Sequence, residues 1–177
     1  SGQRFISIEN IVWLDVDQFY GIEYEEFPAR IAEVAMWLID HQINMMISNE
    51  FGKYFVRLPL TKAAKIVHGN ALRIDWETLV PKSELSYILG NPPFIGTAYQ
   101  SKLQKEDLEY VFSGLKSFGM LDYVAAWYAK SAKYIQDTKI KVAFVSTNSI
   151  VQGEQVGILW GYLFSQFNLR IHFAHRT

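Results

Sequence analysis

Cysteine is absent from the 177-residue chain, which excludes disulfide scaffolds, cysteine zinc sites and thiolate nucleophiles together. Histidine is scarce: His41, His68, His172 and His175 stand at neither HxxxH nor HExxH spacing, so no metal centre is expected. An excess of either charge is also missing. Seventeen basic against 18 acidic residues leave a net charge of −1, so no global basic field announces a nucleic-acid partner, although a local groove stays open. No apolar run reaches membrane-spanning length, and the opening SGQRFISIEN lacks a charged-then-apolar leader; a cytoplasmic protein with no membrane partner is the expectation. Ser1-Gly2 opens without Met, and the chain reads as a fragment. What is present is apolar: 50% hydrophobic and 15% aromatic residues with 20% charged. That composition excludes disorder and supplies a core for about one domain.

Apolar runs and helical spacings alternate along the chain. Residues 17–24 (DQFYGIEY) read as a short buried strand entering an acidic turn. Glu25, Glu26 and Pro28 then read as a helix start, with acids at the positive end of the helix dipole. Ile31, Val34, Ala35 and Leu38 form one apolar face of that helix, and Ala32, Met36 and Ile39 a second, so packing on two sides is expected. Residues 49–63 are irregular, broken by Gly52 and Pro59. Strands are predicted at 64–68 and 85–89 (LSYIL), a helix at 100–109, and a helix carrying Leu121, Val124, Ala125, Tyr128, Ala132 and Ile135. A strand at 141–146, a helix at 156–167 and a last strand at 169–173 complete the series. This alternation predicts an α/β fold with a parallel sheet. Ligands in such sheets bind at the carboxyl ends of strands, which singles out Glu23, Asn70, Asn91 to Phe94, and Thr147 to Ser149.

Asn91-Pro92-Pro93-Phe94 is the most informative of these. Two prolines cannot continue a strand ladder and set a stiff turn, and the residue before them is held extended. The product is a rigid platform with one side-chain carbonyl, backbone carbonyls with no competing N–H, and an aromatic face. A flat ring bearing two N–H donors, such as the exocyclic amine of adenine, fits it.

Asn-Pro-Pro-Phe after an apolar strand resembles the catalytic motif of class I S-adenosylmethionine-dependent N6-adenine DNA methyltransferases. The wording QFYGIEYEEFPARIAEVAMWLIDHQIN, HGNALRIDW, GNPPFIG and the final HFAHRT is similar to the MmeI-like restriction–modification enzymes, from about residue 17 to the end. The resemblance implies a Rossmann-like sheet with helices on both faces, residues 1–177 being a partial catalytic domain: 1–16 a lead-in, 17–177 strands two to six. It implies S-adenosyl-L-methionine as cofactor, held by Glu23 and Tyr24 (the acid on the ribose hydroxyls), by Asn70 and Ala71 near the adenine ring, and by Asn91. Asn91, Pro92, Pro93 and Phe94 would be catalytic; Phe94, Tyr123, Trp127 and Asn148 would meet the substrate base. Double-stranded DNA would be the partner, through the full-length protein. Packing is the competing reading for the five tryptophans, and helix capping for the 147–149 cluster. Arg170, His172, His175 and Arg176 do not amount to a phosphate footprint.

The sequence departs from the family at one point. The only glycines before Glu23 are Gly2 and Gly21, so the Gly-rich loop of the first strand is missing, and with it the strand at the sheet's centre. Direct pairing of 19–23 with 85–89, insertion of residues 4–14, or a strand from another chain in self-association are the three ways to close the gap. In each case the chain alone is expected to be inactive although its parent is an enzyme. Two other readings stand beside the first: a glutamine-N5 protein or RNA base methyltransferase, which shares the Asn-Pro-Pro-aromatic platform, and a non-catalytic module binding DNA or a partner chain.

Overall fold

The computed structural model describes residues 14–51 and 62–175. The proposed strand insertion by residues 4–14 lies outside these up to Leu14, as do Gly52, Pro59 and Arg176. The chain divides into two compact units, Ser1–Ile74 and Asp75–Thr177, each built on a two-stranded parallel ladder.

In the first unit, Asp15 and Gln18 cap a 3-10 turn, Val16–Gln18, reciprocally, and Lys62 joins Asp15 at 2.7 Å and Asp17 at 3.1 Å. Strand β1, Tyr20–Glu23, pairs with β2, Lys65–His68, in the register Glu23 to His68. Helix α1, Glu26–Phe51, crosses between them and rests on both. Pro28 falls in its first turn, where a missing N–H breaks no helical bond. Ala29, Asn44 and Ser48 are buried; Asn44 Nδ2 donates to Asp40 and Ser48 Oγ to the Asn44 carbonyl, so the polar pair is satisfied inside the helix. Packing on two sides does not occur: Ile31, Val34, Leu38 and Ile39 are all exposed. A two-stranded ladder covers only one face of a 26-residue helix.

In the second unit, β3 (Tyr87–Gly90) pairs with β4 (Lys141–Phe144), with Gly90 opposite Phe144. The one-turn helix α2, Trp76–Leu79, precedes them. Helices α3 (Lys102–Val111) and α4 (Ala125–Tyr134) lie between the strands in sequence, and α5 (Gln155–Gln166) follows. Ser101 and Gln104 form a capping box at the start of α3. Leu108, Phe112, Leu121, Val124, Leu159 and Leu163 are sealed from solvent and make the core. The α/β alternation and parallel pairing expected from the sequence are present, and among the described residues β1 pairs with β2 and β3 with β4. Burial alternates along β3 and β4, leaving Tyr87 and Leu89 exposed; these strands are half-buried where the apolar run predicted burial on both faces.

Two further differences have local causes. Helix α4 starts at Ala125, four residues after Leu121, because 121–124 is drawn aside by hydrogen bonds described below. The strand predicted at 169–173 is absent: the chain from 168 to 175 is irregular, with Ile171 and Phe173 exposed. An apolar run becomes a strand only when a neighbour accepts and donates along it, and none does here among the described residues.

Lys130 on α4 holds its ammonium 5.2 Å from the Trp76 ring centre. Burial lowers its pKa to about 8, against an opposing pull from Asp75. The folded protein therefore releases this proton before the unfolded chain does, whose lysines titrate near ~10.4. The cost of keeping it charged is complete below pH ~8 and is relieved as pH rises toward the unfolded value. Lys130→Met is expected to raise the melting temperature at pH 7, with the gain shrinking as pH approaches that of an ordinary lysine. Melting curves of the two proteins at several pH values check this; a gain independent of pH contradicts it.

Candidate active site

The carboxyl ends of both ladders carry the residues singled out from the sequence. In the first unit, the Gly69 N–H donates to the Glu23 carbonyl at 2.8 Å, so β1 and β2 end side by side. Glu23 Oε1 accepts the N–H groups of Tyr24 at 2.8 Å and Glu25 at 3.3 Å. This fixes the carboxylate at the turn, and Oε2 has no hydrogen bond among the described residues. Gly69 is required: its φ is +154°, and a Cβ there would stand 2.8 Å from Ile74 Cδ1. The chain then turns through Asn70, whose Oδ1 accepts from the Leu72 N–H at 2.9 Å while its carbonyl accepts from Arg73 and Ile74. Leu72 beneath is fully buried. Tyr24 is exposed and Ala71 half-buried.

In the second unit, β3 ends at Gly90, whose carbonyl accepts from Val145 N–H at 3.0 Å. Gly90 is close to the Phe144 ring, 3.1 Å from where a Cβ would be. The Asn-Pro-Pro-Phe segment leaves this end. Pro92 is buried, while Asn91, Pro93 and Phe94 are exposed, Phe94 by 46%. The Asn91 amide makes no hydrogen bond among the described residues. Alongside, the segment after β4 is pinned from below. Tyr128 lies edge-on to Phe144 and Trp160, and Trp160 Nε1 donates to the Ile150 carbonyl at 2.7 Å. Burial raises the Tyr128 pKa, with the neighbouring Ser146 side chain acting the other way. Asn148 starts the 3-10 turn Asn148–Val151, exposed and without a hydrogen bond among the described residues, beside the Thr147–Ser149 hydroxyl pair at 2.6 Å. The geometry brings Asn91 and Asn148 to the same end of one ladder.

Tyr123 is placed differently from a surface residue. It is 6% exposed, and its hydroxyl donates to the buried Asp107 carboxylate at 2.7 Å. Its N–H donates to the Ile95 carbonyl at 2.9 Å. Trp127, half-buried, lies edge-on to it at 5.1 Å. Gln100, Asp107 and Gln155 are the residues the sequence did not point to: each reads as an ordinary polar position on or beside a helix, and each reaches into the segment before α4. Among the described residues no cluster of three His, Asp or Glu could hold a metal, and no helix is long and apolar enough to cross a membrane.

Comparison with known proteins places this arrangement. Residues 3–177 match the family described as the DNA-methyltransferase domain of MmeI. DNA methyltransferase A of Bacillus subtilis (strain 168) is 45% identical over 166 residues, 92% of this chain and 19% of that protein. A solved structure of the Type IIL restriction–modification enzyme MmeI in complex with DNA superposes with a TM-score of 0.86 at 55% identity, over 92% of this chain and 22% of the other. The chain thus spans about a fifth of the length of these relatives.

Proposed function

Because the chain belongs to the family of MmeI DNA-methyltransferase domains, we propose that it is part of a catalytic domain that methylates the N6 amine of adenine in DNA, within a cytoplasmic restriction–modification enzyme. In this reading β1 to β4 are the second to fifth strands of a Rossmann-like sheet, within a domain whose lead-in is 1–16 and whose core is 17–177. The carrying observation is the unpartnered Asn91 amide, set on a Pro-Pro turn at the carboxyl end of a parallel ladder.

The donor set suits S-adenosyl-L-methionine. Glu23, with one oxygen locked and the other open, presents what a ribose diol requires. Tyr24, Asn70 and Ala71 would flank the nucleoside. When bound, the cofactor supplies an electrophilic methyl group on a sulfonium.

The protein's own work is on the base. An adenine amine is a poor nucleophile because its lone pair is delocalised into the ring. The Asn91 side-chain carbonyl and the Pro92 backbone carbonyl accept its two hydrogens, drawing the nitrogen toward tetrahedral geometry and concentrating the lone pair. No covalent enzyme intermediate is needed. The base must leave the duplex, and Phe94, with nearly half its surface open, offers a stacking face worth ~1–3 kcal/mol. Trp127 and Asn148 would border the flipped base, while Tyr123 contributes from beneath.

Incubation with methyl-labelled cofactor and duplex DNA, followed by digestion to nucleosides, tests this. Label in N6-methyladenine is expected; label in cytosine, or in a glutamine-bearing protein and not in DNA, overturns it.

A further inference from the structure

Residues 121–123 are gripped from helices α3 and α5 and from Gln100, just before α3. Gln100 Nε2, buried just before α3, donates to the Leu121 carbonyl at 2.9 Å. Gln155, at the first position of α5, exchanges two bonds with Asp122: its Nε2 donates to Oδ2 at 3.0 Å, and its Oε1 accepts the backbone N–H at 3.2 Å. Asp107 of α3 accepts from the Tyr123 hydroxyl at 2.7 Å. From this held segment the Tyr123 N–H donates to the Ile95 carbonyl at 2.9 Å.

That carbonyl follows directly on Phe94. Pro92 and Pro93 have no N–H to offer, so the loop has few means of holding itself. Among the described residues its backbone is anchored at Gly90 on one side and at Ile95 on the other. Asp107 is 5% exposed, and burying a carboxylate costs free energy that a leucine at this position would not. Its 2.7 Å bond to the Tyr123 hydroxyl holds the Tyr123 ring and, through the same residue, the direction of the Tyr123 N–H.

On the acceptor-site reading above, we propose that Asp107 and Tyr123 form a positioning pair for the 91–94 loop, aiming Asn91 and Pro92 at the target amine without touching it. Misplacement of reacting groups by ~1 Å costs roughly 100-fold in rate, so the pair acts on turnover and not on affinity.

Tyr123→Phe keeps ring and backbone and removes only the hydroxyl. It is expected to lower kcat by ~10–100-fold, with KM for DNA and for cofactor within about twofold. Asp107→Asn retains an acceptor and should restore most of the rate, whereas Asp107→Leu should not. Amide hydrogen exchange provides a readout independent of activity. In Tyr123→Phe and Asp107→Leu the Tyr123 amide should exchange at least about tenfold faster with β4 unchanged, and in Asp107→Asn it should stay slow. Equal exchange in all variants, or a uniform acceleration that includes β4, overturns the proposal. If the parent protein methylates no DNA while the Tyr123 amide responds as described, the functional reading fails and the positioning pair stands.

Discussion

Asn91→Ala is expected to reduce methyl transfer by about 1,000-fold or more, the scale set by removing a preorganised polar group from a reacting centre, while cofactor binding stays largely intact. The side chain is exposed and makes no hydrogen bond among the described residues, so its removal withdraws nothing that supports the fold, and stability should move by no more than ~0.5 kcal/mol. The two observables therefore separate. Single-turnover transfer to duplex DNA measures the chemistry, calorimetric titration with S-adenosylhomocysteine measures the cofactor site, and a melting curve measures the fold. Retained turnover in this variant removes Asn91 from the mechanism.

The largest effect on stability is expected at Phe112. It closes α3, fully buried, its N–H donating to the Leu108 carbonyl at 2.8 Å and its ring edge-on to Tyr162 at 5.4 Å. Tyr162 in turn lies edge-on to Phe167 at 5.7 Å, and burial raises its pKa. Phe112→Ala takes the fully buried ring from one end of this row of edge-on aromatics, and close-packed surroundings refill such a space only in part. The expected cost is ~3–5 kcal/mol, a large share of the ~5–15 kcal/mol that holds a typical domain. Urea unfolding followed by tryptophan fluorescence reads it, since Trp76, Trp127 and Trp160 all lie in the second unit. Phe164→Ala, at a position 51% exposed, is the control and should shift the midpoint far less. An unchanged midpoint in Phe112→Ala contradicts this account of the core.

Much of the fold was legible because it is written in periodicities. Four of the five predicted strands form, each within a few residues of its expected place, and the helices over 100–109 and 156–167 appear as α3 and α5. Hydrophobic pattern failed where a partner decides. Among the described residues, 169–173 are as apolar as a strand requires but pair with no neighbour, and Ile31, Val34 and Leu38 sit at helical spacing but are exposed. The ends of the strands, and with them Glu23, Asn70 and Asn91, could be read because Gly and Pro stop a ladder in a recognisable way. Tyr123 could not. An aromatic at helical spacing looks like a pocket wall, and only the fold reveals a buried carboxylate under its hydroxyl. Gln100, Asp107 and Gln155 carry no sequence signal, since the side chains that grip 121–124 meet across separations of 16 to 33 residues.

Both ladders also say how the chain must fold in time. Tyr20 pairs with Lys65 and Tyr87 with Lys141, separations of 65 − 20 = 45 and 141 − 87 = 54 residues. Each ladder waits on a loop closure costing ~3.5 kcal/mol of chain entropy, and neither unit has a short-range hairpin among the described residues from which to start. Helices α1, α3, α4 and α5 form locally and early; the strand pairs that create the Glu23 and Asn91 ends come last. Folding of each unit should therefore be slow for its size, in the range of topologies dominated by distant contacts, and in each unit the candidate strand end should appear with that unit's final cooperative step, not before it.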